Sequence, residues 1–428
     1  MPSTRSKSVF ALVDGNNFYV SCERVFNPAL ENRAVVVLSN NDGCAVSRSQ
    51  QAKDMGIAMG QPWFQMRHLE RRGLIALSSN YTLYADMSAR MMSVAAQFCP
   101  RQEVYSIDES FLEFDGFSHY KLTDHCRQLR DRVRQWIGIP VCVGLGSTKT
   151  LAKLANRIAK KTPDLGGVCN LDELSDIERA QRLANVPVSD VWGVGRRTTE
   201  KLNKLGIRSA QDLASANTDL IRMRFGVQIE RTIRELNGLS CYELETEPPP
   251  KQQIVSSLSF GRLVTDKTDL REAVQTHVAR AGEKLRRQGS TCLGVAVFLG
   301  TNPFLPDEPQ YHPMSTTSMP YPAQDGFSIA RVALRILEAI YRPGYRYKKA
   351  GVMLMDLAPM GNQQGNLFNR PGIKNVRLSH IVDDLNSQMG KGSIQMAGAG
   401  TINTWSMRRE KMSQAFTSSW REIVQVRA

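Results

Sequence analysis

Val9-Phe-Ala-Leu-Val13 runs directly into Asp14-Gly15-Asn16-Asn17, and further along Ser106-Ile107-Asp108-Glu109 sets two acids side by side. A short apolar run closed by turn-forming residues reads as a buried strand and its exit loop, which leaves Asp14 at the strand's end. Val104 to Phe114 alternates and reads as a second strand, with Asp108 and Glu109 inside it. Neighbouring residues of a strand point to opposite faces, so one of two adjacent acids risks burial without a partner. Two arrangements avoid that cost. The chain can bend and leave both acids in water, or the acids can share a divalent-metal site with Asp14. Mg²⁺ takes a few carboxylates together with substrate phosphate oxygens, and a pair of such ions suits an in-line displacement. The spacing alone leaves both arrangements open.

The surroundings extend the pattern. Val35-Val-Val-Leu38 is another apolar run, followed by the loop Ser39-Asn-Asn-Asp-Gly43, and Pro140-Val-Cys-Val-Gly144 is a third. Leu83–Ala96 and Leu122–Trp136 carry helical spacing. Strands interleaved with helices predict an α/β or α+β first domain ending near residue 180. From 181 to 242 the text is helical with short loops. An acidic, proline-stiffened linker follows at Glu243-Leu-Glu-Thr-Glu-Pro-Pro-Pro250. Residues 252–356 combine strand-like segments (Ile254–Phe260, Leu293–Leu299, Ala350–Leu357) with helices (Leu270–Arg287, Ser328–Ile340), a compact α+β domain. After Pro359 the chain turns to Gly, Asn and Gln, the composition of a flexible tail with small structured islands.

Bulk properties agree with a multidomain protein that meets a polyanion. The 428 residues carry 55 basic and 41 acidic side chains, a net charge of +14, and such an excess speeds encounter with nucleic acid. Residues 251–350 hold 14 basic against 8 acidic residues, so much of the excess sits there. The eight cysteines are scattered with no CxxC pair, which fits neither a zinc site nor a disulfide framework and points to a reducing cytoplasm. The run Val9–Val13 is too short for a signal-peptide core, and no stretch is long and apolar enough for a membrane span, so a cytoplasmic protein without membrane contact is expected. Gly144-Leu-Gly-Ser-Thr-Lys-Thr150 only superficially evokes a phosphate-binding P-loop, because Lys149 follows Gly146 by three residues and the required spacing fails. No G-x-G-x-x-G follows a strand, which argues against a dinucleotide-binding oxidoreductase.

Six ordered motifs carry a resemblance. They are Asp14-Gly-Asn-Asn-Phe-Tyr-Val-Ser-Cys-Glu23, Leu38-Ser-Asn-Asn-Asp-Gly-Cys44, Ser78-Ser-Asn-Tyr-Thr-Leu-Tyr-Ala-Asp-Met-Ser88, Tyr105-Ser-Ile-Asp-Glu109, Gly146-Ser-Thr-Lys-Thr-Leu-Ala-Lys-Leu-Ala-Asn156 and Val191-Trp-Gly-Val-Gly-Arg196. In order and spacing they resemble the Y-family translesion DNA polymerases, and within them the UmuC branch, the catalytic subunits of bacterial DNA polymerase V. The resemblance implies an α+β multidomain right hand: palm at 1–31 and 79–180, fingers at 32–78, helical thumb at 181–242, linker at 243–251, little finger at 252–356, and a flexible C-terminal tail at 357–428. It implies error-prone, template-directed addition of dNMPs to a primer 3′ end in the SOS response to DNA damage. The alternative is a DNA-binding accessory protein of the same family that has lost catalysis.

Residue by residue, the resemblance makes Asp14, Asp108 and Glu109 the catalytic carboxylates, holding two Mg²⁺ ions for which Mn²⁺ can substitute. Asn16 stands where many relatives carry a further acid, as it does in the UmuC branch, and is left out of the metal set. Tyr19 becomes the steric gate whose ring fills the space a ribose 2′-hydroxyl needs. Phe18, Ser47, Arg48, Lys53 and Lys160 become nucleotide contacts. Gly193, Gly195 and Arg196 open a helix–hairpin–helix whose backbone approaches a DNA phosphate. Lys284, Arg286 and Arg287, with the aromatic–basic run Tyr341–Lys349, become little-finger contacts to DNA. Gln364, Leu367 and Phe368 match the pentapeptide that docks bacterial polymerases on the sliding clamp. Primer–template DNA and dNTPs are the implied substrates, and the clamp, an accessory UmuD′-like dimer and a RecA filament the implied partners.

Overall fold

The computed structural model describes residues 8–117, 119–361, 373–390, 392–400 and 404–423. They fall into two units. The first takes in 1–39, 44–248 and 411–428 of the chain, and the second 40–43 and 249–410. Gln364, Leu367 and Phe368 lie outside the described residues.

In the first unit the strands are β1 (Val9–Gly15), β2 (Val35–Leu38), β3 (Ala45–Arg48), β4 (Ile75–Ser78), β5 (Arg101–Val104), β6 (Glu109–Phe114), β7 (Val141–Gly146) and β8 (Val168–Asn170). Its helices are α1 (Phe18–Phe26), α2 (Gln50–Asp54), α3 (Trp63–Met66), α4 (Tyr81–Ala95), α5 (Leu122–Ile137), α6 (Lys149–Lys161), α7 (Asp176–Ala184), α8 (Arg196–Lys204), α9 (Ala210–Ala214), α10 (Thr218–Phe225) and α11 (Val227–Leu236). Five strands form one sheet in the order β5-β6-β1-β7-β8, and three form another in the order β3-β2-β4. The apolar run Val9–Val13 predicts a buried strand, and β1 is that strand, placed between β6 and β7 with antiparallel pairing on both sides. Residues Phe10 to Val13 are almost wholly buried, as a central strand covered on both faces requires.

The segment Val104–Phe114 differs from its expectation of one strand. It is a hairpin: β5 ends at Val104, β6 begins at Glu109, and Val104 pairs with Ser110. Ser106 turns the chain. Its hydroxyl oxygen accepts hydrogen bonds from the backbone N–H of Asp108 (3.3 Å) and Glu109 (3.1 Å), the local bonding that lets a serine compete with a strand ladder. Asp108 therefore sits in the turn and Glu109 opens β6, so neither acid is forced into the sheet interior.

Helix α6 lies close against β7 because two glycines leave it room. A Cβ on Gly144 would overlap backbone atoms of Asn156 and Ala152 and come within 2.6 Å of the Ala155 carbonyl carbon. One on Gly146 would stand 2.6 Å from the Leu151 side chain.

The second unit is a four-stranded antiparallel sheet of β9 (Ile254–Val264), β10 (Ser290–Thr301), β11 (Met314–Ala323) and β12 (Tyr347–Pro359) in the order β11-β10-β12-β9. Helices α12 (Lys267–Arg287) and α13 (Gly326–Ile340) bury Leu270, Val274, Val278, Ile329, Ala333 and Leu337 in one core with Val295, Val297, Val352 and Leu354 of the sheet. Strand β11 has no counterpart among the expected elements. Its Pro320 and Pro322 weaken the strand signal and are tolerated because β11 is an edge strand, where a missing N–H removes no needed ladder bond. Two islands of the Gly-, Asn- and Gln-rich tail belong to this unit. One is α14 (Ile373–Met389); the other brings Trp405, 2% exposed, against the Phe260 ring at 5.9 Å. Among the described residues no helix is long and apolar enough to cross a membrane.

Candidate active site

Register puts the acids together. Asp14, the penultimate residue of β1, is the cross-strand partner of Glu109 on β6 and of Cys142 on β7. The Gly15 N–H donates to the Asp108 carbonyl at 2.9 Å, which ties the turn to the end of β1. Ser106 also donates its hydroxyl hydrogen to Asp108 Oδ1 at 2.7 Å. Burial above all, opposed by Lys160 and aided by the charges of Glu109 and Asp108, pushes the Asp14 carboxyl up to about 6. A carboxylate cluster of this kind calls for cations.

Two lysines of α6 supply them. Lys160 Nζ lies 2.6 Å from Asp14 Oδ1, and Lys153 Nζ lies 3.0 and 3.1 Å from the two oxygens of Glu109. Lys153 is also held over the Tyr105 ring at 4.4 Å and the Trp192 ring at 5.5 Å. Sequence reasoning found Lys160 and missed Lys153, although the signal was present: the two stand seven residues apart on a helix, hence on one face. Among the described residues no group of three or more His, Cys, Asp or Glu side chains is gathered closely enough to hold a metal ion by itself. Asp14 and Glu109 on adjoining strands and Asp108 in the turn, with ammonium groups on the first two, are carboxylate oxygens of the kind that divalent ions take. Asn16 turns its amide N–H toward Cys142 Sγ at 3.2 Å.

Tyr19 is on α1, immediately beyond the strand exit, where Asn17 adopts a left-handed φ of 48° to start the helix. Its ring stacks on Tyr84 of α4 at 4.4 Å and 15°, and meets the edge of Tyr81 at 6.1 Å. Burial raises its phenol pKa, followed by the effects of Tyr81 and Asp108, so the ring lies within electrostatic reach of Asp108.

Two expected nucleotide contacts are otherwise engaged. Phe18 is 3% exposed and packs in the core; Gly15 makes room, since a Cβ there would meet the Phe18 ring at 2.8 Å. Its ring is committed to that packing. The Ser47 side chain is buried as well, donating to the Asn17 carbonyl at 3.2 Å and accepting from the Val20 N–H at 3.4 Å. It braces the first turn of α1, because a starting helix leaves N–H groups without partners. Lys53 feels both Arg48 and Lys160: its pKa is lowered by burial and then by the charges of those two residues. Arg48 is steadied by donating to the Ile57 carbonyl at 2.6 Å.

Gly193 has a φ of +86°, and Gly195 caps α8 with open space around its Cα. Arg196 opens α8 at the surface, paired with Glu200 at 3.2 Å. Trp192, just before the first glycine, donates its indole N–H to the Tyr105 hydroxyl at 3.2 Å.

In the second unit Lys284 and Arg287 lie on the exposed side of α12, Arg287 with Glu283 at 2.6 Å. Arg286, expected to touch DNA, does not face solvent. Its side chain is 6% exposed, forked onto Asp383 of α14 at 2.6 and 2.8 Å, and donates to the Gln324 carbonyl at 2.7 Å. The bidentate pair uses the guanidinium to anchor α14, which the expectation of a loose tail concealed. In the run Tyr341–Lys349 Tyr347 is fully buried, whereas Arg342, Arg346 and Lys349 are exposed, Arg342 lying 4.7 Å over the Tyr311 ring.

Comparison with known proteins assigns this arrangement. The model of the impB/mucB/samB family matches residues 13–157 and that of the family's C-terminal domain matches 251–367. The IMS family HHH motif matches 178–207, and a domain of unknown function matches 376–426. ImpB of Salmonella typhimurium is 47% identical over 97% of this chain and 99% of its own length. UmuC of the same species is 46% identical over 98% of this chain and 100% of its own length. DNA polymerase IV of Moorella thermoacetica is 27% identical over 91% and 97%. Among solved structures, the Y-family DNA polymerase chimera Dbh-Dpo4(243-245)-Dbh shares the fold with a TM-score of 0.64, 19% identity, and coverage of 82% of this chain and 99% of that one. On sequence, fold and site together, the chain belongs to the impB/mucB/samB family of Y-family DNA polymerases, the template-directed enzymes of error-prone translesion synthesis in SOS mutagenesis.

Proposed function

We infer that Asp14, Asp108 and Glu109 are the metal-binding catalytic carboxylates of this divalent-metal-dependent polymerase, and that two Mg²⁺ ions are what they hold. The observation that carries this is the pairing of Asp14 with Glu109 in register, each with a lysine ammonium on its carboxylate. When bound, the ions would neutralise charge on the triphosphate and on the attacking and leaving oxygens. The chain's own residues do the rest. The hairpin turn holds Asp108 beside the end of β1. Lys160, Lys53 and Arg48 attract the triphosphate, and Lys153 orients Glu109. Tyr19, braced by Tyr84, closes the sugar side of the pocket and excludes a 2′-hydroxyl.

The same reading assigns 1–31 and 79–180 to a palm, 32–78 to fingers, 181–242 to a thumb and 252–356 to a little finger. Gly193, Gly195 and Arg196 then hold a DNA phosphate, with Lys284 and Arg287 as further backbone contacts. Gln364, Leu367 and Phe368 dock on the sliding clamp, and the enzyme works in the cytoplasm with an accessory UmuD′-like dimer and a RecA filament. The test is single-nucleotide primer extension with Asp108→Ala and Glu109→Ala, alongside Mn²⁺ binding followed by electron paramagnetic resonance. Insertion falls by orders of magnitude, Mn²⁺ affinity falls, and primer–template binding persists. Retention of more than about a tenth of the wild-type rate, about 1.4 kcal/mol of barrier, by either variant removes that residue from the site.

A further inference from the structure

The part of the chain matched by a domain of unknown function, residues 376–426, ends in a stretch that folds onto the first unit. Ser78, the last residue of β4, forms a parallel bridge with Met412. The Ser78 N–H donates to the Lys411 carbonyl at 3.0 Å, and the Lys411 N–H donates to Ser78 Oγ at 2.9 Å. Strand β4 is the edge of its sheet, so the segment is received as a short added strand. Side chains fasten it at both ends. Lys411 Nζ lies 2.5 Å from Glu70 Oε1 and 5.2 Å over the Trp63 ring, and Phe416 stacks on Phe26 of α1 at 4.9 Å and 5°.

Between these anchors the segment reaches the supports of Tyr19. Asn80 caps α4 through its side-chain oxygen and donates its amide N–H to Ser413 Oγ and to the Gln414 carbonyl, both at 3.1 Å. Ser413 Oγ donates to Glu23 Oε1 at 3.0 Å, and the Tyr84 hydroxyl donates to the same oxygen at 2.7 Å. Glu23 is 1% exposed and follows Tyr19 by four residues on α1, hence on the same helix face. Tyr84 is fully buried and presents its ring to Tyr19. A buried carboxylate needs its donors, so Ser413 and Tyr84 together fix where Glu23 stands, and Glu23 fixes the Tyr84 ring.

We propose that Lys411–Phe416 is a strap that sets the sugar selectivity of the polymerase, with Ser413 and Phe416 as positioning residues that hold Tyr19 through Glu23, Tyr84 and α1. The proposal rests on Tyr19 being the sugar gate. A freed strap gives the Tyr19–Tyr84 stack room to yield to a 2′-hydroxyl, while the carboxylates and their lysines are untouched.

The experiment compares insertion of a dNTP and the matching rNTP by the full-length chain and by Ser413→Ala, Ser413→Ala/Phe416→Ala, Ser413→Thr and Tyr19→Ala, with melting temperatures recorded. For Ser413→Ala/Phe416→Ala the ratio of kcat/KM for dNTP over rNTP falls about three- to tenfold, the scale of one ordinary net hydrogen bond. The fall comes through a lower KM for the rNTP, and the dNTP rate changes by less than about twofold on the same grounds. Ser413→Thr, which keeps the hydroxyl, retains wild-type selectivity. In a Tyr19→Ala background the strap substitutions add nothing. If Tyr19→Ala lowers selectivity and the strap variants do not, the strap proposal is overturned and the gate stands. If Tyr19→Ala leaves selectivity unchanged, the gate reading fails and the strap with it. A strap variant that loses dNTP and rNTP insertion equally, or whose effect persists without Tyr19, also overturns the proposal. Should the double variant melt early, Ser413→Ala alone carries the comparison.

Discussion

Gly144→Ala adds one methyl group where β7 meets α6, and its effect should reach the active site. The new Cβ would lie within 2.6 Å of the Ala155 carbonyl carbon and overlap two further backbone atoms of α6, against an ordinary contact of at least 3.4 Å. Backbone cannot rotate away as a side chain can, so the helix must retreat by about 1 Å or more. Overpacking of this kind costs about 1–3 kcal/mol, sometimes more. For a domain of this size that lowers the melting temperature by about 2–4 °C per kcal/mol. The same helix carries Lys153 and Lys160, which contact Glu109 and Asp14 at 3.0 and 2.6 Å. A 1 Å misplacement of catalytic groups costs about a hundredfold in rate, so single-nucleotide insertion should fall by roughly that factor while primer–template affinity changes little. The assay is pre-steady-state insertion at saturating dNTP, with thermal melting alongside. A variant that melts within about 1 °C of wild type and inserts within about twofold would show that Gly144 does not set the distance between α6 and the carboxylates.

Arg286→Ala should lower stability by about 1–3 kcal/mol, less than a fully buried pair because Asp383 is partly exposed, and leave the salt dependence of DNA binding unchanged; Lys284→Ala/Arg287→Ala should do the reverse, flattening the salt slope by up to about two ions. His277 is fully buried beside Ser256 Oγ at 3.0 Å, and burial, then Arg280, lowers its pKa from 6.5 to about 3. The folded state thus binds fewer protons than the unfolded one between these values. Stability contributed by the neutral ring is complete above about pH 6.5 and falls by up to about 1.4 kcal/mol per unit as pH drops toward 3. His277→Gln should flatten that part of a stability-against-pH curve, and an unchanged curve would refute the assignment. Leu367→Ala/Phe368→Ala should abolish clamp-stimulated synthesis while clamp-free insertion and the melting temperature stay put; normal clamp binding by the stable variant would reject the docking motif.

Local sequence determined the elements and the chemistry close to them. Val9–Val13 could be read as a buried strand because a short apolar run closed by Asp14-Gly15 has few other stable fates, and the acids at its exit followed from the same text. The helical spacings of Leu83–Ala96, Leu122–Trp136, Leu270–Arg287 and Ser328–Ile340 were legible for the same reason: periodicity is a local property. Turn chemistry was only half legible. Ser106 looks like any strand serine until its hydroxyl is seen accepting two N–H groups, which makes one expected strand into a hairpin and lifts Asp108 out of the sheet.

Tertiary structure alone decided which side chains were free. Phe18 and Ser47 have suitable chemistry for a nucleotide, but packing commits one to the core and the other to the start of α1. Arg286 reads like its basic neighbours, yet α14 arrives from almost a hundred residues away, a separation of 97, and takes its guanidinium. Lys153 shares a helix face with Lys160, but its partner Glu109, on β6, lies 44 residues distant in the chain. The strap at Lys411–Phe416 could not be read at all, since its meaning depends on Glu23, 390 residues earlier. Periodicity and turn residues act between neighbours in the chain. Burial, ion pairing and the sharing of a buried carboxylate act between neighbours in space, and only the folded chain determines those.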